Sequence, residues 1–270
     1  MDKFLEEYSS EESIKKYTKE TAGQGISKLL ESDYGKIYSQ VVDELLPASV
    51  KKSGLRILEF GCGGGMNLIH LVGLLERKGI KVNSAYGTDF SAKLIAAARE
   101  EVAKYLPKGQ QSKVIFVEAR HETLIQDMTA HAGPGKPSLL GTFDLIVGVN
   151  TFRYCFRAKK EVECAQSISD LLAKGGVCVN IDMNDKFPFF RSKARDKRTK
   201  SPEEYYLPSL EEYGRPFRTV GLKIIKQENF CWVPHSAGPV LFGVCKALTP
   251  VLNTVARSRA MRSLIIAQKA

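Results

Sequence analysis

The 270-residue sequence lacks any apolar stretch of the roughly 18 to 20 residues that a membrane-spanning helix needs, because Arg, Lys or Glu interrupts every candidate. Its first residues lack the basic and then apolar pattern of an export signal. The six cysteines form no CxxC pair and no zinc-binding spacing with histidine. These absences argue against a transmembrane, secreted or zinc-binding protein, so we expect reduced thiols and a cytoplasmic location.

The first two thirds of the sequence also lack an excess of either charge. Residues 1–185 contain 24 Lys and Arg against 24 Asp and Glu, whereas residues 186–270 contain 16 against 6 and carry the whole net charge of +10. A basic surface concentrates anions around it. An anionic substrate, an acidic membrane surface or a nucleic acid would each suit this segment, and a solvated basic loop would explain it equally well.

The chain does contain an alternation of short apolar runs and amphipathic stretches, which is typical of an α/β protein. Helical spacing dominates the first fifty residues, and an apolar run that predicts a strand follows at residues 55–60. Further strands are predicted, with helical patterns between them, at 82–90, 113–119, 141–150 and 177–182. Strands of this length separated by helices predict a parallel sheet that is covered on both faces.

The most unusual segment is ILEFGCGGGMNL, residues 57–68, in which glycines follow directly behind the first predicted strand. A dinucleotide site would need GxGxxG and a P-loop would need Lys and then Ser or Thr after its last glycine. Neither pattern is present. The segment instead places Glu59 before glycines at the alternate positions 61, 63 and 65. A carboxylate so placed suits a ligand with an ammonium group and would repel a phosphate.

This pattern resembles motif I of the class I S-adenosylmethionine-dependent methyltransferases. Asp89, 24 positions after Gly65, matches the acidic residue that takes the ribose hydroxyls in that family. Residues 143–152 resemble the family's fourth strand, and residues 171–182 resemble its helix, glycine turn and fifth strand. The resemblance covers roughly residues 55–181 and the last strand, and it implies a Rossmann-like, doubly wound, mostly parallel seven-stranded sheet.

The resemblance implies one domain over the whole chain, with no metal and with S-adenosylmethionine as the cofactor. We expect the domain to comprise an N-terminal helical cap at 1–53, a cofactor-binding core at 54–185, an insertion and late strand at 186–240, and C-terminal helices and a final strand at 241–270. Residues 186–217 mix aromatics, prolines and charges without a clear period. We expect a mobile or substrate-covering insertion there, followed by a strand within 218–233.

The cofactor-binding residues implied by the resemblance fall into four groups. They are Glu59, Gly61, Cys62 and Gly63 for the methionine end, Asp89 and Phe90 for the ribose and adenine, Arg120, His121 and Glu122 in an adenine loop, and Asn150 and Thr151 beside the methyl group. Arg120 stands where the family usually has an acidic residue, and arginine cannot accept a hydrogen bond from the adenine amino group. Either Glu118 or Glu122 substitutes for it, or the backbone around His121 meets the adenine while Arg120 stacks on the purine.

Three residues are candidates for catalysis. His235 is a candidate general base, because histidine exchanges protons near neutral pH. Tyr154, with Phe152, offers an aromatic face to a sulfonium, and Asp182 follows the fifth strand, where it and Asp185 could orient a substrate amine or hydroxyl. Each residue also has a structural interpretation. His235 would be an exposed loop histidine, Tyr154 would pack against its neighbours, and Asp182 would be a solvated carboxylate.

We therefore expect in-line methyl transfer to an oxygen or nitrogen of a small molecule, which is anionic or lipid-like. The apolar helical region 240–260 would extend the substrate pocket, lie on a bilayer as a peripheral membrane contact, or pack in the core. Of these, we expect packing in the core.

The alternative function is an RNA or protein methyltransferase that uses the basic region 186–226, although no RNA-binding module is recognisable and a nucleic-acid partner is not favoured. A third alternative is a protein that binds the cofactor without turnover. The oligomeric state cannot be inferred from the sequence.

Overall fold

The computed structural model describes residues 30–133, 135, 137–188, 207–234 and 237–270, and these residues form a central sheet with helices on both faces. The sheet has seven strands in the order β3-β2-β1-β4-β5-β7-β6. The strands are β1 Leu55–Phe60, β2 Val82–Asp89, β3 Val114–Glu118, β4 Phe143–Val149, β5 Leu172–Met183, β6 Lys223–Phe230 and β7 Arg262–Gln268. Strand β7 is antiparallel to β5 and β6, and the other pairs are parallel. The predicted Rossmann-like, mostly parallel seven-stranded sheet is confirmed.

The helices divide into one group on each face of the sheet. A short π-helix, Leu30–Tyr34, leads into the first of them. The helices are α1 Gly35–Glu44, α2 Ala48–Ser53, α3 Met66–Arg77, α4 Ala92–Tyr105, α5 Lys108–Gln111, α6 Leu124–Ala132, α7 Arg153–Arg157, α8 Glu161–Leu171, α9 Leu210–Thr219 and α10 Pro239–Val255, and a 3-10 turn follows at Arg257–Arg259. Helices α1, α3 and α4 share one buried apolar cluster, and α6 to α9 share the other. The sheet is therefore doubly wound.

The region predicted as an insertion contains a well-packed helix. Helix α9 begins with a capping box, in which the Ser209 hydroxyl accepts from the Glu212 backbone N–H and the Glu212 carboxylate accepts from the Ser209 N–H. Tyr213 and Phe217, one turn apart, are fully buried against the sheet. The expectation of a mobile insertion is therefore wrong for residues 210–217. The late strand begins at Lys223, because α9 continues to Thr219 and a turn follows it. Residues 189–206 of the insertion lie outside the described residues.

The expectation that the 240–260 segment packs in the core is also wrong. Helix α10 is a single helix that contains Pro250, and none of its residues is buried. Over the part of the chain that the structure describes, no helix combines the length and apolar character needed to cross a membrane. The predicted helices within residues 1–29 lie outside the described residues.

Candidate functional site

The candidate site lies where β1, β2 and β4 end at their carboxyl termini, the edge at which open α/β sheets bind ligands. The glycine turn joins β1 to α3, and the Cys62 N–H donates to the Thr88 carbonyl at 2.8 Å, which ties the turn to the end of β2. Gly61 and Gly63 adopt positive φ angles of 64° and 52°, a conformation that favours glycine. The backbone of the turn therefore depends on these glycines.

Two glycines of the turn face different surroundings. A Cβ atom added to Gly61 would lie 2.0 Å from the Thr151 hydroxyl oxygen, so this glycine lets the turn pack against the segment after β4. A Cβ atom added to Gly63 would meet nothing within 4 Å. Gly63 therefore borders open space at the ligand edge of the sheet, whereas Gly61 is required by packing.

Glu59, at the end of β1, is a buried carboxylate with an unused acceptor. The Tyr38 hydroxyl donates to Asn67 Oδ1 at 2.9 Å, and Asn67 Nδ2 donates to Glu59 Oε1 at 2.9 Å. Glu59 Oε2 is buried and has no hydrogen-bond partner among the described residues. Burial raises the pKa of Glu59 to about 8, against the lowering effects of the Asn67 hydrogen bond and of the Leu68 backbone N–H. A cationic donor at Oε2 would offset this cost of burial.

Asp89, at the end of β2, is held beside the glycine turn by backbone groups. Its Oδ2 accepts from the Gly63 N–H at 3.0 Å and its Oδ1 accepts from the Ser91 N–H at 3.0 Å. Burial raises the pKa of Asp89 above its usual value. Each carboxylate oxygen has further lone pairs beyond those used here, so Asp89 can accept from ligand hydroxyls. Phe90, which follows it, is half-buried.

The loop after β3 carries the candidate adenine residues. Asp127 Oδ2 accepts from the Arg120 N–H at 3.0 Å and from the Thr123 hydroxyl at 2.7 Å, which fixes the loop backbone onto α6. Arg120 and Glu122 are exposed, as is Glu118. The structure therefore keeps open the alternatives for contact with an adenine.

His121 and Thr151 come together although they lie after strands that are three positions apart in the sheet. The distance between His121 Nε2 and Thr151 Oγ1 is 2.7 Å, and the His121 ring lies edge-on to Phe60 with centroids 5.6 Å apart. Burial lowers the pKa of His121 to about 4, so the imidazole is neutral at physiological pH. The sequence carries no signal for this contact, because 30 residues separate the two side chains.

Asn150 adopts a left-handed conformation with φ of 57°, which is uncommon for a residue other than glycine. Its side-chain Oδ1 accepts from Arg262 Nη1 at 2.9 Å. Arg262 begins β7, is buried, and also donates a hydrogen bond to the Tyr34 hydroxyl. Arg262 thus joins the segment after β4 to the N-terminal helices. Sequence reasoning missed both Arg262 and Tyr34.

Asp182 and Tyr154 are engaged with arginines. Asp182 is fully buried; its Oδ2 accepts from the Arg153 N–H at 2.9 Å and its Oδ1 from Arg153 Nη1 at 3.1 Å. The Tyr154 hydroxyl accepts from Arg153 Nη2 at 2.6 Å, and the guanidinium groups of Arg153 and Arg157 lie 4.5 and 5.7 Å from the Tyr154 ring centroid. These contacts fix α7, and any role of Asp182 or Tyr154 toward a substrate stays a prediction.

Two further predicted residues fall elsewhere. Phe152 is fully buried and stacks on Phe217 with ring centroids 4.8 Å apart, so it belongs to the core. His235 lies outside the described residues.

The structure brings together Glu59, Gly63 and Asp89, which we call the cradle. The cradle fits a ligand that carries both an ammonium group and hydroxyls.

Comparison with known proteins identifies the type of domain. A family model described as a methyltransferase domain matches residues 58–178. The citrinin polyketide synthase of Monascus ruber is 30% identical over 136 residues, and so is that of Monascus purpureus. The alignment covers 50% of this chain and 4% of the synthase, so the chain matches only a small part of these relatives.

Solved structures share the fold at low sequence identity. The citrinin polyketide synthase CMeT domain has a TM-score of 0.57 and 19% identity over 99% of this chain and 59% of that one. A methyltransferase from Mesorhizobium loti, described as S-adenosylmethionine-dependent, has a TM-score of 0.56 and 17% identity over 89% of this chain and 98% of that one. At such identities the likeness shows a common fold. Residues 58–178 thus match a methyltransferase-domain model, and the chain shares its fold with a structure described as an S-adenosylmethionine-dependent methyltransferase.

Proposed function

We propose that this protein transfers a methyl group from S-adenosylmethionine to a small-molecule acceptor. The observation that supports the proposal best is the buried, unpartnered Oε2 of Glu59, directly before a glycine turn that borders open space. A buried polar atom without a partner is costly in a folded protein. An ammonium group of the cofactor's methionine moiety would supply the missing donor.

Each cofactor moiety has a proposed partner in the cradle. Glu59 and the backbone of Gly61, Cys62 and Gly63 hold the methionine end, and Asp89 accepts from the ribose hydroxyls. Phe90 covers one face of the adenine. The loop that contains Arg120, His121 and Glu122 covers its edge, either through the backbone or through one of the neighbouring carboxylates. When bound, the cofactor supplies an electrophilic methyl group on a sulfonium.

The chain's own contribution to the reaction is orientation. Asn150 and Thr151 follow β4 and form a fixed wall, because Arg262 holds the first and His121 holds the second. An in-line displacement needs the acceptor within a narrow range of distances and angles, so a rigid wall lowers the entropic part of the barrier. Tyr154 and Asp182, fixed by Arg153, are proposed to position the acceptor from the neighbouring segment. His235 remains a proposed general base.

We propose two classes of acceptor atom. An oxygen or nitrogen is our first proposal, since either atom can attack once a base removes or accepts its proton. Carbon is the second, because the chain is similar to citrinin polyketide synthases and to a structure described as the CMeT domain of one. An RNA or protein acceptor would use the basic region 186–226, of which residues 189–206 lie outside the described residues.

The test is isothermal titration calorimetry followed by transfer of a radiolabelled methyl group. We expect the protein to bind S-adenosylmethionine and its demethylated product, and to label small acceptors with hydroxyl, amine or activated-methylene carbons. Failure to bind either cofactor form would overturn the proposal. Binding of the cofactor without labelling of any acceptor would favour the alternative of a protein that binds the cofactor without turnover. A steep loss of affinity with salt for an RNA probe would favour the nucleic-acid alternative.

A further inference from the structure

Helix α10 exposes an apolar face of unusual extent. Val240 is 81% exposed, Val251 is 61% exposed and Val255 is 73% exposed. The outward residues carry no charge, and only one of them is polar. They are Pro239, Val240, Leu241, Gly243, Val244, Ala247, Leu248, Pro250, Val251, Thr254 and Val255, which we call the outer face. An uncharged apolar face of this length marks an interaction site rather than ordinary surface.

The opposite face holds α10 on the domain in a defined orientation. Phe242 and Cys245 pack against a small buried cluster formed by Cys231, Val233 and Ala237. Lys246 forms an ion pair with Asp33 at 2.7 Å. The Trp232 indole N–H donates to Asn253 Oδ1 at 2.8 Å. These contacts all lie on the half-buried side, so the outer face is turned away from the domain by packing.

The segment of the chain that contains α10 carries charges of one sign. Residues 229–270 contain five Lys and Arg and no Asp or Glu. Arg257 and Arg259 are exposed on the turn that follows α10, and Arg257 pairs with Glu228 at 3.1 Å. An apolar helix face with cations beside it is the arrangement found in helices that lie in a membrane interface.

We propose that α10 is an interfacial helix that docks this protein on an anionic lipid surface. The outer face enters the boundary between headgroups and acyl chains, with the helix axis in the membrane plane. Arg257 and Arg259 contact anionic headgroups at the C-terminal end of the helix. This inference concerns binding alone and does not depend on methyl transfer.

A second copy of this chain is a poorer occupant of the outer face. The outer face and the turn at Arg257–Arg259 carry no acidic residue, so a second copy would bring no negative charge to these arginines. An anionic lipid surface supplies that charge and accommodates an apolar face of any width.

Docking through α10 would place the candidate site beside the membrane. Helix α10 lies in the connection from β6 to β7, at the edge where β7 begins with Arg262 and where Arg262 contacts Asn150. If the proposed function is correct, an acceptor dissolved in the lipid would reach the site without crossing bulk water. This consequence alone rests on the proposed function.

The test is co-sedimentation of the full-length protein with vesicles. We expect binding to vesicles of phosphatidylcholine and phosphatidylglycerol, weaker binding to vesicles of phosphatidylcholine alone, and loss of the difference between the two as salt is raised. Trp232, the single tryptophan, contacts α10, so brominated lipids should quench its emission on docking. No sedimentation with either vesicle type would overturn the proposal.

Variants locate the binding surface. Val244→Gln/Leu248→Gln/Val251→Gln should lower the partition coefficient by roughly tenfold or more. Val162→Gln, on the exposed surface of α8, is the matched control and should leave binding unchanged. Arg257→Gln/Arg259→Gln should lower binding to the anionic vesicles only. Equal binding of the wild type and the triple variant would also overturn the proposal.

Two results would assign the outer face to another occupant. A dimer in size-exclusion chromatography with light scattering that the triple variant abolishes, without vesicle binding, would indicate a second copy. A lower thermal-unfolding midpoint in the triple variant, without vesicle binding, would indicate that residues 1–29 or 189–206 of this chain cover the face. For a lipid-docking face, we expect the midpoint of the triple variant to equal that of the wild type.

Discussion

His121 Nε2 lies 2.7 Å from Thr151 Oγ1, which links the loop after β3 to the segment after β4 across two intervening strands. The contact passes over the glycine turn, because the Thr151 hydroxyl is where a side chain at Gly61 would be. The carboxyl ends of β1, β3 and β4 are therefore locked together at the candidate site. Loops that are fixed before the reactants bind lower the entropic cost of aligning a methyl donor with its acceptor.

Replacing Thr151 with valine should destabilise the protein while preserving side-chain shape. Thr151→Val leaves the half-buried His121 nitrogen without its partner, which costs about 0.5–1.5 kcal/mol of unfolding free energy. Chemical denaturation followed by circular dichroism measures this cost. Thr151→Ser retains the hydroxyl and is the matched control. A Thr151→Val protein as stable as the wild type would show that the hydrogen bond does not hold the loops together.

The N-terminal cap of α9 should stabilise the domain. Ser209→Ala removes the hydroxyl that accepts from the Glu212 N–H and should lower the free energy of unfolding by about 1 kcal/mol. The control is Ser138→Ala, because the Ser138 hydroxyl accepts from the Leu140 N–H in an exposed loop and caps no helix. Equal stability of the two variants in urea titration would contradict the capping role.

The sheet and its ligand edge were predictable because they depend on local patterns. Three local features can be recognised in the sequence: the alternating apolar runs, the glycine turn after β1 and the acidic residue that ends β2. The orientation of α10 was not predictable, because Lys246, Thr249 and Asn253 lie on the face that packs against the domain, whereas hydrophobicity alone favours burial of the more apolar outer face. Helix α9 had a local signal, the serine and glutamate three residues apart at 209 and 212, which the surrounding prolines and charges obscured.

The contacts that complete the site could not be read from the sequence. Arg262 reaches Asn150 from a strand 112 residues later, and only the antiparallel insertion of β7 beside β5 brings the two together. The unpartnered oxygen of Glu59 is likewise a tertiary property, because Asn67 takes one carboxylate oxygen and leaves the other. Contacts between residues so far apart in the sequence produce no pattern of residue spacing from which they could be predicted.

Glu59 should make the cofactor-free protein less stable as pH rises. Its pKa is about 8 in the folded state against 4.5 for the ordinary side chain. The folded state therefore keeps a proton that the unfolded state loses. The contribution of Glu59 to stability is complete below pH 4.5 and is lost as pH rises through 8, with a slope of up to ~1.4 kcal/mol per pH unit.

The variant Glu59→Gln cannot titrate and keeps an acceptor for Asn67. The difference in unfolding free energy between Glu59→Gln and the wild type should therefore grow between pH 5 and pH 8, in favour of the variant. Urea denaturation across this range measures the difference. Parallel curves for the two proteins would show that the Glu59 carboxyl titrates at an ordinary pH.

The same carboxyl should make cofactor affinity depend on pH with the opposite sign. An ammonium group binds the ionised form of Glu59, so binding releases a proton below pH 8 and the affinity for S-adenosylmethionine should rise toward that pH. Calorimetry in buffers with different ionisation enthalpies detects the released proton. Glu59→Gln should weaken binding by roughly tenfold or more and abolish the release, whereas Glu101→Gln, a buried glutamate paired with Lys104, should change neither.

Gly63 and Gly79 allow steric blocking of the cradle to be separated from backbone strain. Both adopt positive φ angles, 52° and 70°, and a Cβ atom added to either would meet nothing within 4 Å. Gly63→Val and Gly79→Val should therefore each lower the free energy of unfolding by about 1–2 kcal/mol, because valine disfavours the left-handed conformation. Only Gly63 borders the proposed methionine pocket, since Gly79 follows α3 at the opposite end of that helix.

Gly63→Val should consequently lose S-adenosylmethionine binding, by roughly a hundredfold or more, while it remains folded. Gly79→Val should bind as the wild type does. Calorimetry gives the affinities, and thermal unfolding shows whether the two variants lose similar stability. If both variants lose binding equally, backbone strain rather than the open space at Gly63 is responsible. If neither loses binding, the cofactor does not occupy the space at the glycine turn, and the assignment of Glu59 and Asp89 to its two ends fails with it.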